Sequence, residues 1–244
     1  MTGRPARVWK ALVCDDTHGP LPALLVVLTL ATGVIDAASF LGLGQVFVAN
    51  MTGNLAFVGF ALAGTPDISL TASLAALGGF LLGAAGKGPL VARWRRHRGR
   101  LLRNATMIEI GLIAIGIVVA AVAPPVPGSG REWTVAAPLA IAMGVQNAGV
   151  RGLGVPDMTT TVFTTTLTGI AADWRTTNTA ALSRRSFGVL ALLVGALVGA
   201  LLMLSVGLGW TLGLGVVLIG LVAVVATLHS RRPQGWHLRE QRAG

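Results

Sequence analysis

A chain of 244 residues that is 53% hydrophobic and only 11% charged, with a mean hydropathy of +0.74, is excluded from the ordinary soluble class, whose members carry about 25% charged residues. Its formal net charge of +10 points to lysine and arginine gathered in the cytoplasmic loops of a membrane protein, with no nucleic acid involved. One cysteine, Cys14, excludes an internal disulfide and a thiolate metal cluster.

Residues 1–20 form a polar N-terminal segment with Arg4, Arg7 and Lys10. Apolar segments follow at 21–44, 46–64, 69–91, 105–123, 133–150, 158–172, 186–207 and 209–229. The first is too long for a signal-peptide core and carries Asp36, so it is read as a retained span. A helix needs about 20 residues to cross the hydrocarbon core. Six segments meet that length, whereas 46–64 and 158–172 are short, polar or interrupted. The expected organisation is a first membrane repeat over 21–123, an outer loop over 124–132, a second repeat over 133–229 and a basic tail over 230–244.

Charge decides whether the two short segments cross. If all eight cross with the N-terminus inside, the 19 basic residues divide into 11 inside and 8 outside, with RWRRHRGRLLR stranded outside. If 46–64 and 158–172 enter and leave on one side, 18 lie inside and only Arg131 outside. The positive-inside rule selects the second arrangement. The expectation is thus an all-α integral membrane protein with about six transmembrane helices, two re-entrant or broken segments and both termini cytoplasmic. Trp9, Trp94, Trp174 and Trp236 then fall at cytoplasmic ends and Trp133 and Trp210 at outer ends, the belt positions indoles favour.

The halves echo one another. VFVANMTG at Val46 matches VFTTTLTG at Val162, and the Gly79/Gly83 pair matches Gly195/Gly199, both at an offset of 116. GVIDA at Gly33 matches GVQNA at Gly144, and GLG recurs at Gly42 and Gly152, at offsets of 111 and 110. With three crossings per half the second repeat is inverted. Inverted repeats with interrupted segments in corresponding places point to a secondary transporter's midplane site.

GVIDAASFLGLGQVFVANMTGN and MGVQNAGVRGLGVPDMTTTVFTTTLTG resemble the two hallmark stretches of the YoaK family, bacterial inner-membrane proteins of unknown function with about six spans. The resemblance covers roughly residues 20–230. It implies a membrane location and carries no ligand residue with it.

The candidate site residues therefore come from the chemistry of the chain. An ionisable or amide side chain in hydrocarbon is costly and marks a site by default. Asp36 is the acid deep in the first hallmark stretch, and its competing role is a structural bond to a neighbouring helix or to Ser39. Gln146 and Asn147 hold the matching place, which leaves one titratable group, a pattern suited to cation or proton coupling. Asn50, Thr52 and Asn54 belong to the first interruption, with a helix break expected at Gly53. Thr164, Thr165, Thr166 and Thr168 belong to the second, with a break expected at Gly169. Gly79, Gly83, Gly195 and Gly199 let helices approach closely, within the protomer or across a homodimer. Glu109, six residues beyond Arg103, is expected to pair or snorkel at the cytoplasmic face. His18, His97, His229 and His237 are expected in solvent at hydrophilic ends.

No catalytic constellation, cofactor motif or metal-ligand spacing occurs. The partners expected are the lipid bilayer and an unidentified small solute or ion. The function expected is a small permease or channel-like carrier. A non-transporting membrane scaffold or accessory subunit is the alternative, and a membrane enzyme comes third for want of a nucleophile, base or metal set.

Overall fold

The computed structural model describes residues 18–66, 68–86, 97–125, 131–156, 158, 160, 163–172 and 179–230. Among them stand eight helices and no strand: α1 (Leu21–Gly42), α2 (Met51–Leu62), α3 (Leu70–Ala85), α4 (Arg98–Val122), α5 (Trp133–Leu153), α6 (Phe163–Ala172), α7 (Thr179–Val206) and α8 (Leu208–Ser230). Each apolar segment read from the sequence holds one of them. α1, α4, α7 and α8 are long and apolar enough to cross a membrane. α2 and α6, with 12 and 10 residues, reach only about 18 and 15 Å at 1.5 Å per residue, well short of the roughly 30 Å hydrocarbon core.

The basic cluster is partly helical rather than all loop, because α4 starts at Arg98. His97 begins it, its Nδ1 accepting from the Arg100 N–H at 3.3 Å. Burial and the charges of Arg100 and Arg103 hold this imidazole below its ordinary pKa, which keeps the ring in the form that can accept. Two other histidines also depart from the solvated expectation. His18 is 9% exposed, and His229 bonds the Val225 carbonyl through Nδ1 at 2.9 Å. His237, Cys14, Trp9, Trp94, Trp174 and Trp236 lie outside the described residues, while Trp133 and Trp210 are exposed.

Packing couples the halves instead of segregating them. α1 lies along α7 and α3 along α5. α4 packs on α5, α8 on α1, and α4 meets α8, while α2 rests on α3 and α6 on α7. Glycine makes the two long contacts possible. A Cβ on Gly195 would collide with the Leu30 carbonyl of α1, and one on Gly33 with the Leu192 carbonyl of α7. A Cβ on Gly83 would collide with the Ile141 carbonyl of α5, and one on Gly144 with the Phe80 carbonyl of α3. Gly79 and Gly199 extend these seams, with added Cβ atoms 2.9 Å from the Ala137 oxygen and 2.7 Å from the Val34 Cα. Large apolar side chains such as Leu82, Val122, Leu197, Leu204 and Val217 face outward and exposed, as lipid-facing positions do.

Candidate functional site

The chain leaves α1 through a turn that begins at Leu43. Gly44 and Gln45 take φ values of 74° and 57°, a left-handed pair that reverses the backbone and that only glycine or a tolerant polar residue adopts cheaply. The link that follows is anchored by Leu43, Val46, Val48 and Ala49, all buried. Asp36 reaches across from α1, and its Oδ1 accepts from the N–H groups of Val48 at 3.0 Å and Ala49 at 2.8 Å. Ser39 does not engage that carboxylate; its hydroxyl donates to the Asp36 backbone carbonyl at 3.1 Å. Asn50 then caps α2, its Oδ1 accepting from the Gly53 N–H at 3.4 Å.

Two expected breaks are corrected by these helices. α2 runs unbroken through Gly53 and α6 through Gly169; the interruption of the first segment lies before its helix, at 43–50. Each glycine instead clears space for a neighbour. A Cβ on Gly53 would stand 2.9 Å from the Phe47 ring, and one on Gly169 2.5 Å from the Arg185 guanidinium.

A cavity of about 880 Å³ opens between these elements. It gathers Asp36, Asn50, Thr52, Asn147 and Thr164 on its wall, five of the eight polar residues expected there. Both short helices contribute, α2 through its cap Asn50 and through Met51, Thr52 and Gly53, and α6 through Thr164. The other three residues have structural partners. Asn54, fully buried, accepts from the Phe47 N–H at 2.9 Å and donates back to the Phe47 carbonyl, stitching the link to α2. Gln146 donates through Nε2 to the Thr32 hydroxyl at 2.9 Å, tying α5 to α1 just behind the wall. Thr168 donates to the Thr164 carbonyl at 2.9 Å and faces outward.

The cavity also holds residues that the sequence reading passed over. Arg151 lines it, one helical turn beyond Asn147, and so does Thr160. An arginine beside a loop reads from the sequence as a topology charge, although the spacing of four from Asn147 puts both on one face of α5. Phe40, Phe47, Phe80 and Met51 supply an apolar portion, with Phe40 and Phe47 stacked at 4.9 Å.

Glu109 is corrected as well. It is 0% exposed, and neither carboxylate oxygen has a hydrogen-bond partner, so it neither pairs with Arg103 nor snorkels. A buried polar group left unbonded costs about 1–3 kcal/mol. Glu109→Met, of similar volume, is therefore expected to raise the thermal unfolding temperature, while Glu109→Ala lowers it by leaving a void. A methionine variant less stable than the parent would show that the carboxyl carries a bond the fold needs.

The chain is 30% identical over 150 residues to the UPF0700 transmembrane protein YoaK of Bacillus subtilis (strain 168), a match that covers 62% of this chain and 65%, just under two thirds, of the relative. No solved structure matches. The family described as Protein of unknown function (DUF1275) matches residues 24–225, from the first turn of α1 to the last turns of α8, both hallmark stretches and the whole cavity wall included. This is a membrane protein, and it belongs to that family.

Proposed function

We propose that this protein is a small permease or channel-like carrier for a small solute or ion, with its site near the bilayer midplane. The observation that carries the reading is the cavity shared by the two short helices. Helices too short to span expose backbone ends, which a bilayer tolerates only beside protein or a wet cavity. Here both hallmark stretches bring such ends, with an acid, an arginine and several amides and hydroxyls, to one 880 Å³ space, a size typical of small-molecule sites.

The reading includes six spans (α1, α3, α4, α5, α7 and α8) arranged as two inverted repeats. The pairwise packing supports it: exchanging α1–α4 for α5–α8 turns the α1–α7 contact into α5–α3, α8–α1 into α4–α5 and α2–α3 into α6–α7. The glycine seams support it too, since Gly33 of α1 against α7 corresponds to Gly144 of α5 against α3, and Gly195 of α7 against α1 to Gly83 of α3 against α5. That correspondence pairs Gly83 with Gly195 at an offset of 112, one helical turn from the offset of 116 suggested by the GxxxG echo.

The topology follows the charge argument, with both termini on the cytoplasmic side of a bacterial plasma membrane. Single cysteines at Gly64 and Gly209, in a chain lacking Cys14, are expected to react with impermeant maleimide in intact cells. A cysteine at Arg100, an exposed position, should react only after permeabilisation. Gly99 is unsuited to the purpose, because it is buried against Ser230. Labelling of position 100 from outside would overturn the six-span arrangement.

Transport itself is tested by reconstituting the purified protein in liposomes and following flux of a panel of neutral, cationic and anionic solutes. Movement of any of them above protein-free vesicles is the expected result. If none moves, the alternative of a non-transporting scaffold, its polar residues serving packing as Asn54 and Gln146 do, takes the place of the carrier.

A further inference from the structure

Resting on the carrier reading, the geometry points to a small organic carboxylate as the cavity's ligand, its charged group seated by Arg151, Thr160 and Thr164 and its apolar remainder by Phe40, Phe47 and Phe80. Among the described residues, the two formal charges on the wall are Asp36 and Arg151, and they are not equally engaged. The Asp36 carboxylate is committed to the Val48 and Ala49 N–H groups. Among the described residues, no acid stands within ion-pairing distance of Arg151. The wall thus offers one guanidinium that no acid holds, beside an acid already held by backbone donors.

Three further features agree. Thr160 is only 2% exposed, lines the cavity, and its Oγ1 has no hydrogen-bond partner; such an orphaned hydroxyl is stabilised by any acceptor that reaches it. Thr164, an exposed residue on the wall, adds a second hydroxyl donor. A guanidinium fork matches the two oxygens of a carboxylate. A single guanidinium suits a monoanion, whereas a phosphate dianion would need more cationic charge. A bare inorganic anion would leave most of the space and all of the aromatic lining unused, so the ligand is organic.

The test uses the full-length protein in detergent and in liposomes, with monocarboxylates from acetate to phenylacetate as probes, each beside its neutral amide, and benzylamine as the cation. The carboxylates are expected to raise the unfolding temperature and to cross the vesicle membrane, and the amides to do neither. Arg151→Gln should weaken carboxylate binding at least tenfold, Arg151→Lys less, and Thr160→Val severalfold, with the ligand-free unfolding temperature of each near the parent's. Flux of amides or benzylamine without carboxylates would overturn the ligand class and leave the carrier standing. Carboxylate binding unchanged in Arg151→Gln would overturn the seat. Absence of both binding and flux for every probe would overturn the carrier reading and this inference with it.

Discussion

Alanine at Gly195 or Gly83 is expected to lower the yield of folded protein sharply, and leucine at either to abolish it. The obstacle in both places is a backbone carbonyl, Leu30 of α1 for Gly195 and Ile141 of α5 for Gly83. A flexible side chain could swing aside, but a carbonyl inside a helix cannot. The helices must separate along their seam, and every contact down the pair loosens with them. Overpacking costs about 1–3 kcal/mol, occasionally more, and these sites sit at the upper end because both neighbours are main chain. A sharp internal control exists. At Gly78 on α3 and Gly220 on α8 an added Cβ meets nothing within 4 Å, so alanine there gains helix propensity of about 1 kcal/mol over glycine. The same substitution should thus lower the unfolding temperature at 83 and 195 and hold or raise it at 78 and 220. Equal effects at all four would mean that glycine acts through the unfolded chain and not through the seams.

The contrast explains how far this fold could be read in advance. Apolar runs of membrane length are the strongest signal a sequence carries, and every one of them coincides with a helix. The GxxxG pairs were legible as close-approach sites because packing in lipid depends on small residues. Which helix each would meet was not legible, since glycine names no partner. The helix boundaries failed for a different reason. Thr52-Gly53 and Thr168-Gly169 read as breaks on propensity, yet Asn50 caps α2 just before Gly53, and the glycines yield space to Phe47 and Arg185. The reversal is made by Gly44 together with Gln45, and nothing local marks a glutamine for a left-handed turn. At the cavity, five polar residues were found because they are costly in hydrocarbon. Arg151 and Thr160 were missed because an arginine next to a loop reads as a topology signal and a threonine in a threonine-rich run reads as one of many. Glu109 was misplaced by distance along the chain: six residues from Arg103 on a helix is not a facing position, since neighbours lie three or four apart.

Replacing Asp36 separates a structural from a transporting role more cleanly than any other substitution in the cavity. Its Oδ1 takes two backbone N–H groups, Val48 and Ala49, which lie in a link whose backbone is not part of any helix. Asparagine keeps an oxygen in that place, so both bonds survive in weaker, neutral form; charge-assisted bonds are roughly twice as strong as neutral ones. Leucine removes the acceptor and leaves two N–H groups unbonded, at about 1–3 kcal/mol each. Asp36→Leu is thus expected to lose most of the folded protein, while Asp36→Asn folds and inserts with a modest loss of stability. If the carboxylate's charge or proton couples transport to an ion, Asp36→Asn abolishes the ion-dependent flux although the cavity remains. Flux in proteoliposomes and thermal unfolding, measured on parent and both variants, divide the outcomes. Equal ion-dependent flux in parent and Asp36→Asn would confine Asp36 to holding the link. Flux lost with the fold intact assigns the coupling to the carboxylate, and with it the reason for keeping an acid where an amide would have made the same turn.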